Sequence, residues 1–347
     1  MRPSFHPRLV NGPFEDPGLF IPFLYEKRAL LFDLGDIHNL STRDILKISH
    51  VFVTHTHVDH FIGFDRLIRL LLGREKTLNL YGPEGFIKNV EGKLSGYAWN
   101  LVANYQNRFV INVSEVDKNT ITTKQYRCKD GFISKPNRSS KAFYKILLQE
   151  PSFTVSAIIL DHRIPSLGVK ITERFHVNIN RESVLSMGLE IGPWLNAFKL
   201  ALFNNQDPES LFKIHGGPEN NVLADYKLGE LAERIAIISP GQKMAYIVDS
   251  VYREPSINEV IRFVSGVDHL YVEAAFLDEH RDIAQEKYHL TARQAGTIAA
   301  RARVKQFTLF HFSPRYTGQG HLLEAEAKKA YDAAISSADN EAHLYFK

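Results

Sequence analysis

The sequence predicts an α/β fold in which sheets and helices form stacked layers. Apolar, β-branched runs of strand length alternate along the chain with stretches whose apolar residues recur at helical spacing. Acidic or metal-ligating side chains follow several of these strands, and strand ends are where loops build sites in such folds. The chain has 347 residues, 44% of them hydrophobic, and no internal repeat or long linker divides it. We therefore expect a single domain over residues 1–347, with a basic insertion at residues 118–145 and a helical insertion at residues 174–205.

The first elements are strands separated by turns and one short helix. Strands are predicted at residues 20–25 and 29–36, and a helix at residues 42–48 precedes a third strand that ends at Val53. Beyond that strand, apolar residues recur with helical spacing over residues 61–71. The segment between Val53 and this helix is therefore a strand-to-helix loop.

This loop carries the strongest chemical signal in the chain. His55, His57, Asp59 and His60 fall within six residues, and a turn of the backbone can aim the first two to one side and the last two to the other. Imidazole and carboxylate are the ligands that zinc prefers in catalytic sites. The pattern indicates two adjacent metal ions. The alternative is a set of surface residues with Asp59 as a helix N-cap, which accounts for only one of the four.

Four later strands also end in a side chain that can bind a metal or position a ligand. These side chains are His162, Asp249, Glu273 and His311. A single histidine is more often a hydrogen-bonded structural residue than a ligand. Because the same arrangement recurs on four strands and accompanies the loop cluster, we expect the strand ends to meet at one site.

Two segments differ from the rest of the chain in composition. Residues 118–145 contain many basic side chains and several aromatic ones, but only one acid, Asp130. Basic groups bind phosphates and aromatic rings stack on bases, so this segment is either a nucleic-acid contact or a solvated face. Residues 178–208 read as a helical stretch interrupted at Gly192, and a loop is predicted at residues 215–218. The basic residues are Lys118, Lys124, Arg127, Lys129, Lys135, Arg138, Lys141 and Lys145.

Composition excludes several classes of protein. The formal net charge of +3 does not by itself indicate a nucleic-acid partner. The single Cys128 excludes an internal disulfide and an all-cysteine zinc site, and it fits a reducing compartment. The first residues contain no apolar signal region, and no apolar run is long enough to span a membrane. We expect a cytoplasmic protein without a membrane partner.

Taken together, the motifs resemble the metallo-β-lactamase superfamily and, within it, the ribonuclease Z family of endonucleases that trim tRNA precursors at the 3′ side. Residues 55–60 match the superfamily signature, and residues 311–316 are the most specific match to ribonuclease Z. The resemblance spans roughly residues 29–316 and implies a four-layer αβ/βα sandwich with the metals at one edge of its two sheets. Other matching stretches are residues 161–168, 239–241, 249–250, 273–276 and 289–295.

The resemblance also implies a binuclear metal centre. Two zinc ions are expected, although manganese and iron accept similar ligands. Such a pair activates a water molecule and neutralises the charge of a phosphodiester. The implied ligands are His55, His57 and His162 for one ion, Asp59, His60 and His311 for the other, and Asp249 as the bridge.

Three residues have implied catalytic roles. Asp59 would orient the nucleophile as well as bind metal, and His289 matches the family histidine that protonates the leaving oxygen. Glu273 would orient a metal ligand or His289. The alternative for His289 is an ordinary surface residue before a helix.

The chain resembles a divergent branch of the ribonuclease Z family and not a standard member. Residues 35–39 replace the glycine-rich run of the family, and residues 174–205 align only loosely with its tRNA-binding arm. The sequence therefore predicts an endoribonuclease acting on tRNA 3′ ends or related RNA, with a small-molecule phosphodiesterase, such as a cyclic nucleotide phosphodiesterase, as the alternative. A non-catalytic nucleic-acid-binding subunit is a third hypothesis, from another class. A homodimer is expected by analogy with the family.

Overall fold

The computed structural model describes residues 4–24, 26–135, 138–216 and 221–344, with side chains described up to residue 337. The chain divides into two compact units. The larger unit contains Phe5–Leu147, Val155–Ile171 and the chain from Lys243 onward. The smaller unit contains Ser4, Leu148–Thr154 and Thr172–Gln242. All the site residues predicted from the sequence belong to the larger unit.

Eighteen strands are found in the described part of the chain. They are β1 (Arg8–Leu9), β2 (Leu19–Pro22), β3 (Ala29–Phe32), β4 (Ile48–Phe52), β5 (Lys76–Pro83), β6 (Phe109–Val116), β7 (Thr120–Arg127), β8 (Arg138–Ala142), β9 (Ile146–Gln149), β10 (Phe153–His162), β11 (Ile164–Glu173), β12 (Phe175–Ile179), β13 (Leu211–Gly216), β14 (Asn221–Lys227), β15 (Ala236–Pro240), β16 (Lys243–Ile247), β17 (His269–Glu273) and β18 (Gln306–Phe310).

Eleven α-helices accompany these strands over the same described residues. They are α1 (Thr42–Ile45), α2 (Val58–Phe61), α3 (Phe64–Leu71), α4 (Phe86–Ser95), α5 (Arg181–Ser186), α6 (Trp194–Phe203), α7 (Leu228–Ile235), α8 (Ser256–Phe263), α9 (Arg281–Lys287), α10 (Ala292–Arg301) and α11 (Gly320–Leu344). Strands and helices alternate through most of the larger unit, which confirms the predicted α/β class.

The first sheet of the larger unit has eight strands in the order β1-β2-β3-β4-β5-β6-β7-β8. Strands β3 to β6 are parallel, and antiparallel strands flank them on both sides. Parallel strands need helical crossovers, and here α3 and α4 supply helices that bury Phe64, Leu67 and Val90 in one core with Val51 and Leu80 of the sheet.

The second sheet brings the later site residues to one edge. Its strand order is β18-β17-β16-β11-β10-β9, and β16, β17 and β18 run parallel. Parallel strands end at the same edge of a sheet, so the residues at or just beyond their carboxyl ends become neighbours. Those residues are Asp249, Glu273 and His311. The register places Glu273 directly opposite Phe310, the residue before His311.

The smaller unit has its own apolar core. Helices α5, α6 and α7 bury a cluster that includes Val184, Trp194, Phe198 and Leu231. Two antiparallel strand pairs, β12 with β15 and β13 with β14, complete this unit. The helical stretch predicted at residues 178–208 is thus present, as two separate helices.

Four local predictions were wrong in their bounds. The strands expected at residues 20–25 and 29–36 end at Pro22 and Phe32. The helix expected at residues 42–48 ends at Ile45, because the chain enters β4 at Ile48 and pairs there with β3. The loop expected at residues 215–218 begins inside β13, since His215 pairs with Val222 across a bulge. The remainder of that predicted loop, Gly217 and Pro218, lies outside the described residues.

The basic segment at residues 118–145 forms β7 and β8 at the end of the eight-stranded sheet. All five residues of β8 are exposed, and the cationic side chains of Arg138 and Lys141 are typical of an edge strand protected from further pairing. Three lysines of the segment have acidic partners, in the pairs Lys124–Glu91 (3.0 Å), Lys135–Asp130 (2.6 Å) and Lys145–Glu259 (2.7 Å). Within the described residues, no helix is both long and apolar enough to cross a lipid bilayer.

Candidate metal centre

The histidine cluster lies where β4 gives way to α2, as the sequence predicts. Strand β4 ends at Phe52, and His55 and His57 lie in the short loop before the helix, while Asp59 and His60 belong to its first turn. The N-cap of α2 is His57, whose side chain makes no capping hydrogen bond. The reading of Asp59 as an N-cap is therefore wrong, and its carboxylate is available to the site.

Three histidines form the first ligand group. The side chains of His55, His57 and His162 each offer a ring nitrogen within 4.8 Å of the others. The closest pair, His55 Nε2 and His57 Nδ1, is 2.8 Å apart. The ring of His162 lies 5.0 Å from that of His55 and 5.2 Å from that of His57, centroid to centroid. This is the ligand set that the sequence proposes for one ion.

The second group contains one carboxylate and two histidines. Asp59, His60 and His311 also offer donor atoms within 4.8 Å of one another. Asp59 Oδ2 lies 3.3 Å from His311 Nε2 and 3.5 Å from His60 Nε2. These residues are the ligand set proposed for the other ion.

Asp249 connects the two groups. Its Oδ2 atom lies 2.8 Å from His60 Nε2 and 3.3 Å from His55 Nε2, so one oxygen reaches a histidine of each group. Its other oxygen, Oδ1, lies 3.3 Å from His311 Nδ1. The carboxylate is almost fully buried. Its carboxylate therefore lies between the two groups, within reach of both.

The donor set fits divalent cations. His60 Nε2, Asp249 Oδ1 and His311 Nδ1 are buried atoms that make no hydrogen bond of acceptable geometry with the described residues. Buried polar atoms of this kind need a partner, and a metal ion supplies one. Burial lowers the pKa of His55 to about 2, which keeps its imidazole neutral and able to ligate. Burial alone would raise the pKa of Asp249, but the charges of His311 and His60 hold it well below its usual range.

Asp33 supports the second group and was missed by the sequence analysis. It is fully buried just after β3, and its Oδ2 atom lies 2.9 Å from His60 Nδ1. It also accepts hydrogen bonds from the Thr54 amide (2.7 Å), the Thr54 hydroxyl (3.0 Å) and the Tyr246 hydroxyl (3.0 Å). In the neutral form of His60 that can bind a metal, a proton on Nδ1 donated to Asp33 leaves the Nε2 lone pair facing the cluster. The sequence did contain a signal for Asp33, because this residue directly follows a strand of apolar residues. Glu273 and His311 were identified from that same pattern.

Glu273 and His289 form a pair beside Asp249. Glu273 Oε2 lies 2.8 Å from His289 Nδ1, and Asp249 Oδ1 lies 3.0 Å from the same nitrogen. Glu273 is fully buried, and its other oxygen accepts hydrogen bonds from the Ser250 amide (2.8 Å) and the Leu290 amide (3.2 Å). Burial lowers the pKa of His289, but the nearby carboxylates of Glu273 and Asp249 outweigh it and raise that pKa to about 9. His289 is thus a half-buried, oriented imidazole and not an ordinary surface residue.

Unusual backbone conformations gather at this site. Among the described residues, nine that are not glycine have positive φ, and five of them line or support the site. A left-handed conformation costs roughly 1–2 kcal/mol for such a residue, and strain of this kind is typical of functional sites. The five are Asp33 (58°), Arg163 (60°), Asp249 (51°), Tyr288 (61°) and His311 (59°).

A cleft of about 600 Å³ opens onto the two groups. Its size is within the usual range of ligand-binding clefts. Side chains of both metal groups line it, together with residues that follow His162 and residues at the end of α9. The lining residues are His57, Asp59, His162, Arg163, Ile164, Asp249, Glu286, Lys287, His289 and His311.

Solved structures define the fold. The chain superposes on the metallo-β-lactamase fold protein YhfI from Bacillus subtilis with a TM-score of 0.53, at 15% identity and with 94% of each chain covered. The human short-form tRNase Z gives a TM-score of 0.50 at 18% identity, covering 90% of this chain and 93% of that one. The likeness places the chain in the class of proteins that have the metallo-β-lactamase fold.

Sequence comparison points to one branch of that class. The chain is 28% identical to ribonuclease Z of Deinococcus radiodurans over 293 residues, 83% of either protein. It is 28% identical to ribonuclease Z of Bacteroides fragilis over 302 residues, which is 85% of this chain and 81% of that protein. No family model matches the chain. The chain is therefore similar in sequence to ribonuclease Z over most of its length, as the motifs predict.

Proposed function

We propose that this protein is a binuclear metal-dependent phosphodiester hydrolase of the ribonuclease Z type, an endoribonuclease acting on tRNA 3′ ends or related RNA. The observation that carries the proposal is the pair of ligand groups joined by Asp249 at the floor of an open cleft. The similarity to ribonuclease Z over most of the chain supports the choice of RNA as substrate.

Seven side chains would hold the metals. His55, His57 and His162 would bind one ion, and Asp59, His60 and His311 the other, with Asp249 shared. Two divalent ions in such a site supply activation of water and neutralisation of phosphate charge. We take zinc as the resident metal because the ligands are mostly imidazole, with manganese or iron as the other candidates.

The protein residues then orient the reacting groups. Asp59 is half-buried, and its carboxylate lines the cleft, so it can accept a proton from the nucleophile and direct its attack. His289 also lines the cleft and would donate a proton to the leaving oxygen. Glu273 fixes the ring of His289 through the 2.8 Å contact and stabilises its protonated form.

We further propose a cytoplasmic protein that forms homodimers, with one metallo-β-lactamase domain into which Thr172–Gln242 is inserted. The inserted segment has its own core, and it includes the residues that align loosely with the tRNA-binding arm of the family. The exposed cations of residues 118–145, such as Arg138 and Lys141, would contact RNA phosphates.

A cleavage assay tests the function directly. Purified protein is incubated with zinc or manganese and a tRNA precursor that carries a 3′ trailer, and the products are resolved by length. We expect cleavage at the 3′ side of the tRNA, with loss of activity in Asp249→Ala. Absence of cleavage by the metal-loaded protein would contradict the proposal.

The size of the cleft favours one second candidate, a phosphodiesterase for small substrates. A cleft of about 600 Å³ accommodates a mononucleotide-sized ligand, such as a cyclic nucleotide. The same assay separates the two functions when a small phosphodiester is included. Turnover of the small ester without cleavage of the tRNA precursor would assign the chain to the second candidate.

A further inference from the structure

Arg163 is an exposed arginine held in a fixed position in the wall of the cleft. It follows His162 directly, lines the cleft, and has a left-handed backbone with φ of 60°. The Asp161 carboxylate accepts a hydrogen bond from its amide at 3.1 Å, which fixes this turn. Arginine has no intrinsic preference for such a backbone. The conformation is therefore one that the surrounding structure imposes.

The guanidinium of Arg163 is anchored to the segment at the end of α9. It lies 5.0 Å above the ring of Tyr288 and donates a hydrogen bond from Nη2 to the Glu286 carbonyl at 2.6 Å. A guanidinium carries five N–H donors in a planar fork, so these contacts leave donors directed at the cleft. Holding the side chain in this way reduces the entropy lost when it binds a ligand.

Tyr288 contacts both the Arg163 guanidinium and the proposed metal ligand His162. Its carbonyl accepts a hydrogen bond from His162 Nδ1 at 2.9 Å, while its ring carries the guanidinium of Arg163. Tyr288 is itself in the left-handed conformation, with φ of 61°. One residue thus orients a proposed metal ligand and a cation beside it, so the distance between the metal centre and the cation is fixed.

We propose that Arg163 is a substrate-binding residue that holds the phosphate next to the scissile one, and so selects polynucleotides over small phosphodiesters. This inference rests on the proposed function, because it assumes a phosphodiester at the metal centre. The guanidinium is anchored to residues 286–288 and not to the carboxylates of the centre, so its remaining donors stay available to a substrate phosphate in the cleft. Its fork matches the geometry of a phosphate.

The chain offers a matched control in Arg253. Its guanidinium also lies 5.0 Å from the ring of Tyr288, but Arg253 is not among the residues that line the cleft. Arg253→Ala removes a cation from the same ring without removing one from the cleft. Arg163→Lys keeps the charge and loses the fork.

The experiment measures two substrates and one binding equilibrium for each variant. The substrates are a tRNA precursor with a 3′ trailer and bis(p-nitrophenyl) phosphate, and the binding probe is a fluorescein-labelled RNA hairpin with a single-stranded 3′ extension. For Arg163→Ala we expect KM for the precursor and Kd for the hairpin to rise by about 10- to 100-fold, because hydrogen bonds to a charged group are lost. Values for the small ester and the zinc content should stay at wild-type level, as should every value for Arg253→Ala.

Further readouts distinguish a phosphate contact from a structural effect. Loss of one phosphate contact should lower the slope of log Kd against log salt by about 0.7 for single-stranded RNA. Arg163→Lys should recover part of the RNA affinity. An equal loss on both substrates, or a fall in zinc content, would show that Arg163 supports the centre and would overturn the proposal.

The outcomes also separate this inference from the proposed function. If the wild type cleaves the precursor and Arg163→Ala matches it in KM, only the inference fails. If the wild type binds the hairpin through Arg163 but cleaves no RNA, the proposed function fails, and the bound phosphate is no longer the neighbour of a scissile one. If the wild type neither binds nor cleaves RNA, both fail.

Discussion

Asp33 Oδ2 lies 2.9 Å from Nδ1 of His60, and neither side chain is accessible to solvent. This contact fixes which nitrogen of His60 faces the metal groups, and Asp33 also secures the loop through Thr54. The metal centre therefore depends on a residue outside the histidine cluster.

Asp33→Asn should weaken the second metal site. The substitution keeps the shape of the side chain but removes the charge that fixes the His60 ring, so we expect about 10- to 100-fold lower affinity for one of two zinc ions. Titration against a chromogenic chelator measures this affinity. Asp36→Asn, an exposed aspartate three residues further on, is the control and should bind zinc as the wild type does. Equal affinity in both variants would show that Asp33 does not orient His60.

His289→Ala should lower turnover without removing metal. Loss of a general acid reduces kcat by about 10²- to 10⁴-fold, and the seven proposed metal ligands remain in place. Steady-state kinetics on the tRNA precursor, with zinc content measured in parallel, tests this expectation.

The control for that experiment is His269→Gln. His269 begins β17, whereas Glu273 ends it, and its Nε2 pairs with the Thr308 hydroxyl at 2.8 Å. We expect nearly unchanged kcat in this variant. A wild-type kcat in His289→Ala, at full zinc content, would remove the histidine from the mechanism.

Gly35, in the loop after β3, and Gly63, just after α2, allow the backbones of these two segments to lie close together. An added Cβ on Gly63 would lie 2.2 Å from the Gly35 carbonyl oxygen, and one on Gly35 would lie 2.5 Å from the Asp59 carbonyl oxygen. Gly63→Ala must therefore displace the backbone beside the metal ligands, and we expect a loss of about 1–3 kcal/mol in the free energy of unfolding. Chemical denaturation gives this value.

Gly92→Ala is the matched control, since an added Cβ there meets nothing within 4 Å and the residue lies inside α4. It should be neutral or stabilise the protein by up to about 1 kcal/mol. Equal free energies of unfolding for Gly63→Ala and Gly92→Ala would contradict the close contact between the backbones at Gly35 and Gly63.

Chelation should lower the thermal stability of the protein. Metal binding stabilises the folded state by about 2.7 kcal/mol when the free ion is at a hundred times its Kd, and more above that. The buried atoms His60 Nε2, Asp249 Oδ1 and His311 Nδ1 lose their proposed partner when the ion is removed. Calorimetry with and without a chelator should show a lower Tm that returns on addition of zinc. An unchanged Tm would indicate that no ion had been bound there.

The sequence revealed the centre because its ligands follow a repeated local pattern. His55 to His60 are adjacent in the chain, and His162, Asp249 and His311 each come at or just after a strand of apolar residues. Strand ends converge in a layered α/β fold, so the pattern predicts proximity without any knowledge of register. The fold class and the proximity of these residues could therefore be inferred from the pattern, whereas their division into two ligand groups was implied by the resemblance to ribonuclease Z.

What the sequence could not show depends on contacts between distant segments. The role of Asp33 arises from its approach to Thr54 and Tyr246, and the last of these is 213 residues away. The pairing of β12 with β15 joins segments about 60 residues apart. The segment at residues 118–145 is also less basic in the structure than its composition indicates. Glu91 and Glu259, which belong to other elements, pair with two of its lysines. Composition within one segment carries no signal of partners elsewhere in the chain.

The central claim is a two-metal centre bridged by Asp249, and metal analysis of the wild type and Asp249→Ala tests it most directly. Both proteins are purified with zinc, freed of loosely bound ions and analysed by mass spectrometry for zinc per chain. The bridging position of Asp249, 2.8 Å from His60 and 3.3 Å from His55, predicts two zinc ions in the wild type and fewer in the variant, with loss of turnover. Fewer than one zinc per wild-type chain, or the same content in both proteins, would contradict it.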